Sequence, residues 1–403
     1  MSFRYIAGIL GTSPTIVGPV DGEGGTAPGI WNTPSQAYYQ ALGTWPMPLI
    51  DKYLWVWGRN DFGQLGLGNT TYYSSPKQVG VLATWSKITG GKNNSASIKT
   101  DGTLWTWGQN GAGKLGLGNT TNYSSPKQVG ILTTWLSITN GEDHSIATKT
   151  NGTLWAWGLN NYGQLGDGTT TNRSSPVQVG ALVNWLSVAA GYNYCLATKT
   201  DGTLWSWGGN NYGQLGLNSS IYTNISSPTQ IGALTTWSTI TASKGNFALA
   251  VKTDGTLWAW GRNSNGQLGQ GNTTERSSPV QIGAGITWSK VTGGNSCSIA
   301  TKTDGTLWTW GQNSFGQLGL GNTTYYSSPK QVGALTTWSK ISAGENYLLA
   351  IKTDGILWVW GRNDNGQLGL GNTTDYSSPK QVGALTTWLS IAGGNRFSIA
   401  TKS

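Results

Sequence analysis

The residues best suited to chemistry are Glu142, Asp143 and His144, neighbours in the string GEDHSIA. Carboxylates beside an imidazole can move protons or ligate zinc, provided that several such groups converge on one point. Convergence is what this chain lacks. It has one histidine in 403 residues, and successive residues on a strand point to opposite faces. Cys195 and Cys297 lie two repeats apart and cannot jointly complete a metal site with His144. A Ser-His-Asp set cannot be assembled from this lone imidazole either. The segment therefore reads as a loop-to-strand junction, and the chain is expected to be no enzyme and to need no metal or cofactor. The glycine-rich GQLGLG resembles a phosphate cradle only on the surface, because no GK[ST] follows and no helix is predicted after it. Its glycines read as positive φ and close backbone approach in a tight loop.

These residues are embedded in a repeat. LWxWG occurs with its first tryptophan at Trp55, Trp105, Trp155, Trp205, Trp258, Trp308 and Trp358, at spacings of 50, 50, 50, 53, 50 and 50. A third tryptophan recurs at Trp85, Trp135, Trp185, Trp237, Trp288, Trp338 and Trp388, so that only Trp31 and Trp45 of the 23 tryptophans fall outside the array. Within one unit the runs WSKISAG, ENYLLAIKTDGILWVWG and SSPKQVG alternate apolar and polar residues, the period-two pattern of half-buried strands. TDGT is predicted to be a two-residue Asp-Gly hairpin of type I′. Each unit thus supplies four short strands, A to D, and seven units of about fifty residues predict an all-β, seven-bladed β-propeller. The first unit, from DKYLWVWG, has only strands C and D, and the last, ending FSIATKS, has only A and B. The two halves are expected to pair in one composite blade that removes the open sheet edge. Residues 51–403 form the propeller, preceded by an extended N-terminal arm at 1–50.

Composition agrees. Gly at 61 of 403 is far below the one-third of a collagen helix, and 37% hydrophobic content is too high for a disordered chain. No apolar run reaches the roughly 18 residues of a membrane span, so membrane insertion is not expected; no basic-then-apolar leader opens the chain. The net charge of +9 is dealt out along the repeats rather than gathered in a tract, which argues against nucleic acid. Two cysteines do not make a disulfide scaffold.

The string WGxNxxGQLGLGNTT…SSPxQVG, followed by GxxxSxAxKTDGTLWxWG, resembles the repeat of the regulator of chromosome condensation family. The resemblance spans 51–403 and implies a seven-bladed propeller. His144 occupies a position where that family commonly has a histidine; the other copies have Asn94, Tyr194, Phe247, Cys297, Tyr347 and Phe397 there. A related propeller, the plant ultraviolet-B photoreceptor, uses tryptophans gathered among arginines. Here they recur in every unit and are expected to fill the wedges between blades.

Strand order places the B–C turns and D–A links on one end and the A–B and C–D loops on the other. The first end is nearly invariant. It carries Lys99, Lys149, Lys199, Lys252, Lys302, Lys352 and Lys402 beside the Asp-Gly turns. Those lysines are either screened locally by the aspartates or form an anion-binding ring at the channel mouth. The second end varies, and its exposed tyrosines and arginines are of the types enriched at recognition surfaces. The candidate binding residues are Tyr162, Tyr192, Asn193, Tyr212, Arg262, Phe315 and Arg362, centred on the three tyrosines.

Residues 1–50 resemble N-terminal segments of structural proteins from tailed phages, through the GIW…QA…GTWP pattern. That resemblance implies a non-enzymatic component of the virion surface, in tail, fibre or head decoration. Its partners would be other virion proteins, engaged through Trp31, Tyr38, Tyr39 and Trp45, and a host surface receptor or glycan; it could also self-associate in the particle. Competing expectations are a secreted bacterial propeller that inhibits a protein target and a chromatin-bound exchange factor for a GTPase.

Overall fold

The computed structural model describes residues 52–81, 84–219, 222–284 and 287–403. Trp31, Tyr38, Tyr39 and Trp45 lie outside the described residues. Within them the chain forms twenty-eight strands in seven four-stranded sheets. In blade 1, β3 (Trp85–Gly90), β4 (Asn94–Lys99), β5 (Leu104–Gly108) and β6 (Tyr123–Gln128) are strands A to D, hydrogen-bonded in chain order. Blades 2 to 6 repeat this order. Blade 7 is the expected composite, in which β1 (Tyr53–Gly58) and β2 (Tyr73–Gln78) join β27 (Trp388–Gly393) and β28 (Phe397–Lys402). The seam is a full antiparallel ladder from Tyr53 opposite Lys402 to Gly58 opposite Phe397. The 53-residue spacing resolves into two separate insertions. The C–D loop of blade 3 (209–224) is two residues longer than that of blade 1 (109–122), and the A–B loop of blade 4 (243–246) is one residue longer than 91–93.

The core is the set of wedges between blades. One cluster joins Ala96, Ile98, Leu104 and Val129 of blade 1 to Trp135, Ile138, Ala147 and Trp157 of blade 2, and each blade face meets the next blade's tryptophans in this way. Within blade 1 the Trp85 ring meets Trp105 and Trp107 edge-on, with centroids 6.4 and 6.0 Å apart. Trp107 is fully buried and its indole N–H donates to the Gln64 carbonyl of blade 7 at 2.9 Å. Gly66, at φ +71°, lies flat against that indole: a Cβ there would stand 2.8 Å from Nε1. The GQLG glycines therefore do serve close backbone approach, and what they approach is the next blade.

The Asp-Gly turn is a correction to the predicted type I′ hairpin. The N–H of Gly102 donates to the carbonyl of Lys99 (3.0 Å), and the N–H of Lys99 to the carbonyl of Thr103 (2.9 Å). Gly102 has positive φ, whereas Asp101 does not. This is a three-residue loop, a type I turn ending in a glycine bulge. The Asp101 carboxylate accepts from the N–H (2.9 Å) and hydroxyl (2.6 Å) of Thr103, holding the loop from within.

Thr103 also accepts the indole N–H of Trp105 at 2.9 Å, and Thr153, Thr203, Thr256 and Thr306 do the same for their own blades. Ile356 and Tyr53 stand at the corresponding positions in blades 6 and 7, and the buried indole nitrogens of Trp358 and Trp55 lack a partner. Ile356→Thr should supply the missing acceptor and raise unfolding free energy by about 1 kcal/mol, measured by denaturant titration. An unchanged or lower midpoint would show that the methyl groups of Ile356 outweigh the bond.

Candidate functional site

The end bearing the A–B and C–D loops has a constant frame and variable tips. Asn60 shows how the frame is made. Its Oδ1 accepts the N–H of Leu65 (2.9 Å), and its Nδ2 donates to the carbonyls of Asn69 (2.9 Å) and Thr71 (3.0 Å). The folded loop then reaches the next blade, where the N–H of Gly68 donates to the Ser124 carbonyl at 2.7 Å. The tips are free to differ because these bonds use backbone atoms and repeated asparagines.

The sequence-derived binding residues fall into separate groups around this end. Tyr192 is 42% exposed at the rim of the central channel, and Tyr162 stands in the C–D loop of the preceding blade. Desolvation raises the Tyr192 phenol above its usual range, and Glu142 adds to the effect. Tyr212 lies beneath the guanidinium of Arg262, 5.1 Å from the ring centre, and Phe315 beneath that of Arg362 at 4.8 Å. Arg362 is further paired with Asp364 at 2.6 Å. Both arginines come from the blade after their aromatic partner, directly behind LWxWG. Gly209 holds that position after Tyr162, so Tyr162 has no such cation above it. Asn193 is a correction: it is 4% exposed, its carbonyl takes the N–H of Gly209 at 2.8 Å, and it supports the loop rather than facing a partner.

The lysine ring is a second correction. These lysines do not line the channel. Each ammonium lies over the indole of its own strand C, from 3.5 Å for Lys149 and Lys199 to 4.5 Å for Lys402, with the strand A indole beyond. Strand B directs Lys99 to the same face as Trp85 and Trp105, and the negative face of an indole attracts an ammonium. Desolvation lowers Lys99, Lys149, Lys199 and Lys252 below the usual range. These are packing residues.

Two charged residues escaped the sequence reading. Lys114 replaces the glutamine found at the other six GQLG positions. Its side chain is 1% exposed, and its ammonium binds Asp143 at 2.6 Å and the Gln109 amide oxygen at 3.0 Å. Lys244 stands in the one-residue-longer A–B loop of blade 4 and crosses the channel to donate to the Gly90 carbonyl of blade 1 at 2.9 Å. The break in spacing between Trp205 and Trp258 was the available signal for the second, and GKLG among GQLG for the first.

His144 is buried, with Nε2 3.2 Å from the sulfur of Cys195 in the next blade. Burial raises that thiol beyond the range in which it would ionise. Among the described residues no three His, Cys, Asp or Glu side chains gather to hold a metal ion.

A model of the RCC1-like domain matches residues 51–291, and models of the regulator of chromosome condensation repeat match 304–351 and 354–401. The chain belongs to the RCC1-like domain family. Solved structures that share its fold include two that align over most of the chain. Human WBSCR16 aligns at a TM-score of 0.78 and 22% identity, over 87% of this chain and 99% of its own. Prp20p from Saccharomyces cerevisiae aligns at 0.79 and 20%, over 91% and 94%. A search of curated protein sequences found no match.

In this RCC1-like propeller the buried pairs give two measurable consequences. Burial lowers the His144 imidazole to about 4. The unfolded chain binds a proton below about pH 6.5 and the folded chain does not. Stability conferred by the neutral ring is therefore complete above pH 6.5 and falls as pH drops towards 4, by about 3 kcal/mol. His144→Phe, the residue type at Phe247 and Phe397, should flatten that part of the stability–pH curve; equal slopes in both proteins would refute it. Asp143→Ala should cost about 2 kcal/mol by orphaning a buried ammonium, less than a fully enclosed pair because Asp143 is 30% exposed. Adding Lys114→Gln should recover most of the loss in the same unfolding assay.

Proposed function

We propose that this RCC1-like propeller is a non-enzymatic binding scaffold of a phage virion, anchored through residues 1–50 and presenting its loop end to a protein or glycan on the host surface. The observation that carries the display half is the segregation of variation. Turns and lysines repeat around one end, while Tyr162, Tyr192, Tyr212, Arg262, Phe315 and Arg362 differ between blades and stand on the other. Tyrosine and arginine supply most of the energy at many recognition surfaces, because a rigid amphipathic ring or planar cation loses little entropy on contact. Tyr192 and Tyr162 form the centre of the proposed patch, since the Tyr212 and Phe315 rings already carry their arginines.

The virion placement is supported by the phage-like N-terminal segment, with Trp31, Tyr38, Tyr39 and Trp45 as its apolar contacts. Prp20p binds Gsp1p and histones, so presenting a protein-binding surface is a known use of this fold. At 20% identity that likeness does not carry those partners to this chain.

Two variants separate the halves of the proposal. A chain lacking residues 1–45 should fold with unchanged thermal stability yet be missing from purified particles. Tyr162→Ala/Tyr192→Ala/Tyr212→Ala should assemble normally and reduce particle adsorption to host cells at least tenfold. Normal incorporation of the first would remove the anchoring role; unchanged adsorption by the second would remove the display role.

A further inference from the structure

The strand A ends of all seven blades enclose a cavity of about 370 Å³ at the loop end of the central channel. Six A–B loops have three residues; that of blade 4 has four, Ser243 to Asn246. This loop is held from several sides. The Tyr194 hydroxyl accepts the N–H of Ser243 at 3.0 Å and donates to the Phe247 carbonyl at 2.5 Å, the Ser243 hydroxyl donates to the Gly294 carbonyl, and Asn246 adopts φ +60°. Lys244 is therefore directed across the cavity rather than left in solvent. Its ammonium has three donors, of which the Gly90 carbonyl takes one.

The charges around it leave an excess of one. Glu142, in the lining, is paired with Lys92 at 2.6 Å, and Glu345, also in the lining, with Arg396 at 2.9 Å. Among the described residues Lys244 forms no ion pair. Beside the strand end that it reaches stands Asn140, whose N–H donates to Thr89 at 3.3 Å. Asn140 lines the cavity, is 3% exposed, and accepts from the Ser145 hydroxyl at its Oδ1 (3.0 Å), while its Nδ2 has no partner. A buried amide donor without an acceptor is costly, so Asn140 lacks an acceptor near the strand end where Lys244 lacks a counter-charge.

We propose that the channel cavity is a binding site for one carboxylate group, held by the Lys244 ammonium and the Asn140 amide. A monoanion matches the single unpaired positive charge; a dianion such as phosphate would leave one negative charge unmatched. The inference is independent of the virion reading. The carboxylate can belong to a small free acid or to an aspartate or glutamate side chain inserted by a bound protein. Burial lowers Lys244 to about 8, with Glu142 and Glu345 opposing the shift and Lys114 reinforcing it. Occupancy should accordingly be greatest below pH 8 and lost above it.

The test is amine acetylation of the full chain at pH 7, read by mass spectrometry, with acetate and a capped Gly-Asp-Gly peptide as probes. Acetate should reduce Lys244 labelling at least fivefold in a saturable manner and leave labelling of exposed lysines unchanged. Protection by acetate alone assigns the site to a free acid; protection by the peptide as well assigns it to an inserted side chain. Asn140→Leu should weaken half-saturation at least fivefold. Should that variant fail to fold, calorimetric titration of acetate into wild type and Lys244→Met provides the same comparison, with saturable heat expected only in wild type. No saturable protection, or equal protection by chloride and sulfate at matched ionic strength, would overturn the site.

Discussion

The hydrogen bond from the second tryptophan of each LWxWG to the GQLG carbonyl of the preceding blade organises this molecule. It occurs at all seven interfaces, from Trp57 to Gln367 at 2.8 Å through to Trp360 and Gln317 at 2.9 Å. A buried indole N–H needs an acceptor, and a main-chain carbonyl supplies one whatever side chain stands there. That is why Lys114 can replace glutamine without loss of the bond: the Trp157 indole still reaches the Lys114 carbonyl at 3.0 Å. The glycine two residues on lets the loop lie against the ring. Blade spacing, C–D loop path and ring closure follow from this one contact.

Because the frame is built from main-chain groups, glycines and indoles, most polar side chains at the loop end are released from structural duty. Variation gathers there for a physical reason. The opposite end has no such freedom, since its lysines lie over indoles and its aspartates brace the turns that start strand C. The recurring lysines resemble a charged surface in one dimension and are packing groups in three.

Burial governs the chemistry that the charged groups can offer. The His144 ring and both cysteine thiols are held neutral by desolvation, and a neutral imidazole beside a protonated thiol has no activated nucleophile to offer. Lys114 and Lys244 are instead cations drawn inward, the first matched by Asp143 and the second placed over a cavity by a rigid loop.

Periodicity alone determined the number of blades, the four strands of each, the composite seam and the glycines that approach a neighbour, because a blade is specified by local alternation and a repeat that must close. It also marked the variable end, since strand order decides which loops share a face. Tertiary structure alone decided what each side chain meets there. Asn193, one residue from the exposed Tyr192, is buried because its side chain lies against Gly209, which has no Cβ to displace it. The turn at Asp101 is a three-residue loop because Lys99 pairs with Thr103 across it and only Gly102 takes positive φ, and blade 6 keeps the same loop with Ile356 in place of the threonine. Lys244 acquires significance only when blade 4 faces blade 1 across a channel, 154 residues from the carbonyl it binds. Repetition reports what every blade does; contacts made once, across the ring, leave no period to read.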